Sequence, residues 1–399
     1  MTPVEICDRT LALAHLGVGL TEPNPRVGCV LVAADGRTVL GEGHTQQAGG
    51  PHAEIMALRA AASAGHEVRG ATAWVTLEPC AHHGRTPPCC DALVRAGVGR
   101  VVVALRDPFE HVDGRGIQRL REAGIEVQVA GEFSADFAVA HAQAHPQDPH
   151  GLAWAEAARE LNIGFLSRVL RRRPWVRMKI AASLDGQTAL ANGRSQWITG
   201  EAARTDGHAW RRRAGAVLTG IGTVRDDDPR LDVRLVPTPR QPLRVVIDSR
   251  LEIEPTARIL PAPGPALVYA NAEAAASARA QALAAAHPQV TVVAAPADER
   301  GKTELAAVLA DLAQRGVNEL HVEAGHQLNG SLLRAGLVDE VLVYLAPKLL
   351  GPGRGMAAFG PLENLADALE LEFMECTPVG ADLRLRARPP GRAAFAGQA

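Results

Sequence analysis

ATAWVTLEPCAHHGRTPPCCDALVRAGVGRVVVAL, residues 71–105, sets the architecture of the first half of this chain. Its apolar runs at 71–77 and 100–105 have the length and β-branched content of buried strands. Residues 89–96 between them have helical length and Ala/Leu content. Outward from this stretch, 27–34 (VGCVLVAA) repeats the strand signal and 53–64 (AEIMALRAAASA) the helix signal. The alternation predicts an α/β unit, a mainly parallel sheet covered by helices. Ahead of it Val4, Cys7, Leu11, Ala14 and Val18 recur at helical spacing and predict an amphipathic first helix.

A second alternating unit starts at Trp175. Strands are expected at 175–181, 215–219, 243–247, 266–270, 289–294, 318–323 and 338–346, with helices at 201–213, 274–286, 303–315 and 327–335. Between the halves, Ala, His and Gln dominate 133–160 and HPQDPHG (145–151) breaks the pattern. The expected organisation is therefore a domain over 1–145, a linker over 146–173, a second domain over 174–388 and a disordered tail over 389–399.

Bulk properties narrow the function. The formal charge of −2 and an aromatic share of 4% oppose a nucleic-acid partner, which needs a basic field and stacking surfaces. No apolar run reaches the roughly 18 to 20 residues that span a bilayer, so no membrane partner is expected. Six cysteines at 7, 29, 80, 89, 90 and 376 are too unevenly placed for a disulfide scaffold. Three of them within eleven residues point to metal or catalysis in a reducing compartment, and the cytoplasm is expected.

The metal signal is specific. His52-Ala53-Glu54 opens a helix after the turn Gly49-Gly50-Pro51, Pro79-Cys80 follows a strand, and Cys89 comes after eight intervening residues. A thiolate near a helix start gains from the free N–H groups and the helix dipole. One imidazole and two thiolates are three of zinc's four tetrahedral ligands and leave a position for water, whose pKa zinc lowers from 15.7 to about 7. Glu54, two residues from a ligand, can face that position without ligating and carry the water proton to a departing amine. The order matches the H-x-E…P-C-x-x-C logic of zinc base deaminases with a longer second spacer. A closed structural site would need a fourth protein ligand. Cys90 is expected in the core instead, because adjacent cysteines on a helix do not readily face one metal; His82 and His83 stay open.

PNPRVGCV (23–30), GEGHTQQAGGPHAE (41–54) and TLEPCAHHGRTPPCC (76–90) closely resemble the bifunctional riboflavin-biosynthesis deaminase/reductase family. The long Cys-to-Cys spacer separates that family from cytidine and tRNA-adenosine deaminases. The resemblance implies a cytidine-deaminase-like α/β/α layer domain at the N-terminus, with His52, Cys80 and Cys89 as zinc ligands and Glu54 as proton shuttle. It also implies that Asn24, His44, His82 and Arg85 lie along the substrate. An Asn amide can read a pyrimidine carbonyl and ring N–H together, and Arg85 can meet a phosphate as a fork. The implied substrate is a small phosphorylated pyrimidine, 2,5-diamino-6-(5-phosphoribosylamino)pyrimidin-4-one, which loses its 2-amino group.

In the second half, MKIAASLDGQTALANGRSQWIT (178–199), TGIGTVRDDDPRLDVR (219–234) and HVEAGHQLNGSLL (321–333) each read alone as a strand followed by a loop or glycine turn. Such turns can bring N–H groups towards phosphates, although a GxGxxG fingerprint is absent. Taken in order, the three resemble the family's dihydrofolate-reductase-like α/β reductase domain. The resemblance implies NADPH reduction of the ribosyl chain to a ribityl chain. Ala181, Trp197, Thr223, Asp227, Ser249 and Gly325 would border NADPH; Ser195, Arg211, Leu231, Arg234 and Glu323 would border substrate. Arg211 and Arg234 suit a phosphate because guanidinium binds bidentately. Lys179 is the expected proton donor or substrate anchor, with Glu323 as the fallback. A homo-oligomer is expected. The competing expectation is a deaminase whose second domain only binds or assembles.

Overall fold

The computed structural model describes residues 1–81, 87–109, 112–131 and 149–395. They form two compact units, Met1–Arg171 with the final residues Ala394 and Phe395, and Arg172–Ala393. Among the described residues no helix is long and apolar enough to cross a membrane.

In the first unit the order is α1 (Pro3–His15), β1 (Gly28–Val32), β2 (Val39–His44), α2 (Ala53–Ser63), β3 (Thr72–Val75), α3 (Cys89–Ala96), β4 (Arg100–Leu105), α4 (Arg115–Glu122), β5 (Glu126–Gly131), α5 (Pro149–Leu161) and α6 (Ile163–Arg171). The sheet runs β2-β1-β3-β4-β5. It is mixed rather than mainly parallel: β3, β4 and β5 are parallel, whereas β1 runs against both β2 and β3. The short connection from β1 to β2 allows only the antiparallel pairing. The expected stripe on α1 is rotated only in part: Cys7 and Leu11 pack against the core and Ala14 is buried, as expected. Ile6, Thr10, Leu13 and Ala14 are buried, while Val4 is exposed and Val18 lies beyond the helix.

The cause of that rotation is α5. Its Trp154 lies in the core and donates from Nε1 to Thr10 Oγ1 at 2.9 Å. Residues expected as linker are thus two helices whose Trp154, Ala155, Ala158, Phe165 and Leu166 belong to the first unit's core. Asn162 fixes their junction: its amide nitrogen donates to Arg26 O at 2.9 Å and its oxygen accepts from Arg26 N at 2.7 Å. At the chain's end Arg392–Ala394 forms a 3-10 turn, and the Arg171 guanidinium lies 4.9 Å above the Phe395 ring. Order therefore continues past residue 389; positions 396–399 lie outside the described residues.

The second unit contains β6 (Trp175–Ser183), β7 (Gln187–Leu190), α7 (Glu201–Arg213), β8 (Ala216–Gly220), α8 (Ile221–Asp227), β9 (Leu243–Ile247), β10 (Ala266–Ala270), α9 (Ala272–Ala275), α10 (Ala278–Ala286), β11 (Val290–Ala294), α11 (Leu305–Gln314), β12 (Glu319–Val322), α12 (His326–Arg334), β13 (Glu340–Ala346), β14 (Gly353–Gly355), β15 (Glu372–Val379) and β16 (Asp382–Arg388). Nine strands form one sheet, β11-β10-β9-β8-β12-β6-β13-β16-β15. Every pair is parallel except the closing hairpin, where β16 runs against β13 and β15. β7 and β14 pair separately. The central strands are buried along most of their length, as the uninterrupted apolar runs require.

Candidate functional site

Two helix starts converge in the first unit. His52 is the residue before α2, and Cys89 is the first residue of α3. Cys80 follows β3, and its sulfur accepts the Cys89 N–H at 3.4 Å. His52 Nδ1 lies 3.6 Å from Cys80 Sγ and 3.4 Å from Cys89 Sγ. Zinc bonds of about 2.0 Å to nitrogen and 2.3 Å to sulfur place tetrahedral ligand atoms roughly 3.5 Å apart, so the three donors fit one zinc ion. Among the described residues this is the only His/Cys/Asp/Glu cluster with metal-holding geometry. Cys90 is outside it: its side chain is in the core, and burial pushes its thiol up to about 12. His82, His83 and Arg85 lie outside the described residues.

The scaffold under this cluster explains its order. α2 rests directly on β2, because a Cβ on Gly43 would stand 2.4 Å from Ala53 O and one on Gly41 2.3 Å from Ala57 O. Two bare backbones therefore bring the His52–Glu54 turn against the sheet. Below Cys80, the Glu78 carboxylate accepts four backbone N–H groups, from Asp107, Gly114, Gly116 and Ile117, at 2.9–3.2 Å. That carboxylate ties Asp107 and the start of α4 to the Pro79-Cys80 turn. Glu78 was not legible as a site residue, although an acid between Leu77 and Pro79 at a strand's end is a detectable anomaly.

Glu54 is buried beside the three donors. Burial, then the neighbouring Cys80 charge, pushes its carboxyl up to about 7. The pair of thiols splits: sharing a hydrogen bond with Cys89 and facing His52 lowers Cys80, while Cys89 is raised. A low Cys80 is the thiolate a metal ligand needs. Of the residues expected along the substrate, His44 closes β2, half-buried, with its basicity lowered by burial. Asn24 sits in the turn before β1, its N–H on Thr21 O at 2.9 Å.

The second unit carries a cavity of about 1340 Å³ at the carboxyl ends of β6, β12, β8 and β9. That is where parallel sheets accept ligands. Ala181, Thr223, Asp227, Ser249 and Gly325 line it, as do Lys179, Ser195 and Glu323. Gly325 precedes α12 and donates its N–H to Thr223 Oγ1 at 3.0 Å, tying the glycine turn after β12 to the one after β8. Ser195 Oγ donates to Asp227 at 2.9 Å. The wall therefore offers backbone N–H groups and hydroxyls over a span suited to a dinucleotide.

Four expected residues stand off the cavity wall. Trp197 is 62% exposed with the Arg204 guanidinium 4.7 Å above its ring. Leu231 is buried with Val217 and Val224, in the left-handed region at φ 53°. Arg211, expected at a phosphate, instead pairs with both oxygens of Glu323 and donates to Asp232 O at 2.9 Å. Arg234 is half-exposed, with Nη1 2.8 Å from Asp232.

Glu323 is the hub that sequence reasoning under-read. Lys179 Nζ lies 3.8 Å and His321 Nε2 3.4 Å from its carboxylate, besides the Arg211 fork. Burial opposes its charge, yet Arg211 and Lys179 hold the carboxyl well below the usual range. His208, four-fifths of a turn from Arg211 on α7, accepts the Arg234 N–H at 3.1 Å and is therefore neutral; burial, then Arg211 and Arg234, lower it to about 4.

Comparison with known proteins agrees with this division. A model of the cytidine and deoxycytidylate deaminase zinc-binding region matches residues 5–105, and one of the RibD C-terminal domain matches 174–385. The riboflavin biosynthesis protein RibD of Escherichia coli is 44% identical, covering 94% of this chain and 96% of that protein. That of Haemophilus influenzae is 39% identical over 96% of each. Acinetobacter baumannii RibD superposes with a TM-score of 0.81 at 39% identity, covering 97% of this chain and 98% of that one. A Thermotoga maritima diaminohydroxyphosphoribosylaminopyrimidine deaminase/5-amino-6-(5-phosphoribosylamino)uracil reductase does so at 0.81 and 31% identity, with the same coverage. Identity of this extent across both units means that the chain belongs to the RibD family of riboflavin biosynthesis proteins.

Proposed function

We propose that the first unit hydrolyses the 2-amino group of 2,5-diamino-6-(5-phosphoribosylamino)pyrimidin-4-one and that the second reduces the product with NADPH to 5-amino-6-(5-phosphoribitylamino)uracil. The observation that carries this reading is one chain with two chemically complete centres: the His52/Cys80/Cys89 donors beside buried Glu54, and the Lys179–Glu323 pair facing a dinucleotide-sized cavity.

In the first reaction zinc supplies Lewis acidity that makes water nucleophilic at neutral pH. Glu54 accepts that water's proton and returns it to the amine, which leaves as ammonia. Burial keeps Glu54 from being solvated into a permanent anion. Asn24, His44, His82 and Arg85 hold the pyrimidine and its phosphate.

In the second reaction bound NADPH would supply a hydride to the sugar's C1 as the bond from C1 to the ring oxygen opens, and the proton goes to that oxygen. Ala181, Thr223, Asp227, Ser249 and Gly325 seat the cofactor, and Trp197 flanks it. Lys179 delivers the proton or anchors the sugar. Glu323, kept ionised by Arg211, fixes the Lys179 ammonium. Ser195, Leu231 and Arg234 complete the substrate side, with Arg234 as the phosphate partner because its guanidinium is half-exposed. The cytoplasm suits this chemistry, since thiol ligands must stay reduced. A homo-oligomer is supported by an exposed apolar edge on β15, and the formal charge of −2 weighs against a nucleic-acid partner.

The test is to incubate pure protein with the diaminopyrimidinone phosphate, first without NADPH and then with it. Ammonia release alone, followed by cofactor oxidation on addition, is expected. Ammonia release with no subsequent oxidation would favour a second unit that only binds or assembles.

A further inference from the structure

The cavity in the second unit has a direction. Across the carboxyl ends of its floor the strands run β6, β12, β8, β9. Lys179 and Glu323, the reacting pair, stand at β6 and β12; the glycine rim of Gly220–Thr223 and Gly325 stands at β8 and β12. Ser249 stands after β9, three strand spacings or about 14 Å from β6. A dinucleotide with its reacting ring at Lys179 and its pyrophosphate on the glycine rim must therefore place its adenosine ribose beyond β9.

That end of the cavity carries three cations among four acids, Asp248, Glu252, Asp298 and Glu304, and Asp248 accepts the backbone N–H groups of Glu252 and Ile253 at 2.9 and 2.8 Å. Arg250, Arg300 and Lys302 line it. Ser249 Oγ lies 3.0 Å from Thr303 Oγ1 and accepts the Thr303 N–H at 2.9 Å, which joins the two segments that carry Arg250 and Lys302 on the cavity wall. The turn carrying Arg300 and Lys302 is tightly built. Asp298 accepts their backbone N–H groups at 2.9 and 2.8 Å, and Gly301 closes the turn at φ 71°. Of the acids, Asp298 holds this turn and Glu252 pairs with Arg225 at 2.6 Å. At the opposite rim the cations are engaged, Arg354 with Asp226 at 2.5 Å and Arg334 with Ala358 O.

We propose that Arg250, Arg300 and Lys302, on the two segments joined by the Ser249–Thr303 contact, bind the 2′-phosphate of the adenosine ribose and so set the preference for NADPH over NADH. The inference rests on the NADPH reading given above. A phosphate dianion meeting three cations replaces ion–water contacts with charge-assisted hydrogen bonds. NADH, with a hydroxyl there, gains none of them. No chemical step is involved; the three residues select the cofactor.

The test uses the full-length zinc-loaded protein and direct binding of NADPH, NADH, adenosine 2′,5′-bisphosphate and adenosine 5′-monophosphate by calorimetry. In Arg300→Ala/Lys302→Ala, and separately in Arg250→Ala, the Kd for NADPH should rise roughly 10- to 100-fold while that for NADH moves less than about 3-fold. Adenosine 2′,5′-bisphosphate should bind the unaltered protein more tightly than the monophosphate and lose that margin in the variants. Arg300→Lys should restore most of it. Unchanged melting temperatures exclude misfolding. Equal losses for NADPH and NADH, or no loss for either, would overturn the assignment while leaving the reductase reading intact. An unaltered protein that bound neither cofactor would overturn both.

Discussion

Glu54 and Glu323 are both buried carboxylates, and their neighbours drive them in opposite directions. Burial, then the negative charge of the neighbouring Cys80, raises Glu54 to about 7, where it can take and release protons. Glu323 is equally enclosed but gripped by Arg211 and faced by Lys179, so it stays a fixed anion. The same residue type is therefore set up for proton transfer in one unit and for a fixed charge in the other, which is what the proposed mechanism asks of each. Glu54→Gln keeps the size and removes the carrier. Zinc content should be unchanged by elemental analysis and ammonia release should fall by at least about 100-fold; retained turnover would take Glu54 out of the chemistry. Arg234→Ala should raise KM for the phosphorylated reductase substrate more than for its dephosphorylated analogue. Equal effects on both would exclude a phosphate contact.

At the scale of elements, what could be read from sequence is what repeats locally. The helices at 53–64 and 89–96, the strands at 71–77 and 100–105, and the His52, Cys80 and Cys89 set follow from periodicity and motif spacing, and each lies where expected. β2 was illegible because VLGEGH has no apolar alternation: its glycines are there for α2's backbone, not for a sheet face. The α5 and α6 helices were read as linker because their apolar residues are diluted by Ala, His and Gln. β16 was hidden because its arginines look solvated, whereas Glu340 from the distant β13 pairs with Arg386 and Arg388, and Glu375 across the hairpin pairs with Arg384. A charge partner far away in sequence leaves no local signal. Gly43→Ala tests the β2 contact: the added methyl must push α2 outward, costing about 1–3 kcal/mol of stability and weakening zinc retention. On α7, His208 offers a pH test. Its folded pKa, about 4, lies below the ordinary value of 6.5, so its contribution is complete above pH 6.5 and declines as pH falls towards 4. Denaturant unfolding of His208→Gln should show a shallower loss across that window; identical slopes would mean that His208 is not kept neutral.

At the scale of the whole molecule, each unit has its own core and its own site, and of the two edges of the nine-stranded sheet, β11 and β15, the second exposes large apolar side chains. β15 closes the nine-stranded sheet with Phe373 75% exposed and Met374 50% exposed. Leu365, Leu369 and Leu371 before it are exposed too. β15 carries Glu372, Glu375 and Pro378, of the residue types that blunt an edge, yet its exposed Phe373 and Met374 leave apolar side chains for another strand to cover. Pairing with the same edge of a second copy satisfies both sets of backbone groups under two-fold symmetry. Phe373→Lys with Met374→Glu places charges on that edge without touching either catalytic centre. Light scattering should report a dimer or larger assembly for the unaltered chain and a monomer for the variant, with zinc content preserved. An unaltered chain that stays monomeric at high protein concentration would remove the edge from consideration as a self-association surface. Because the zinc donors all lie within the first unit, metal chelation should abolish ammonia release and leave this assembly state and NADPH binding in place. Loss of all three together would mean that the second unit depends on zinc for its fold, which its separate core argues against.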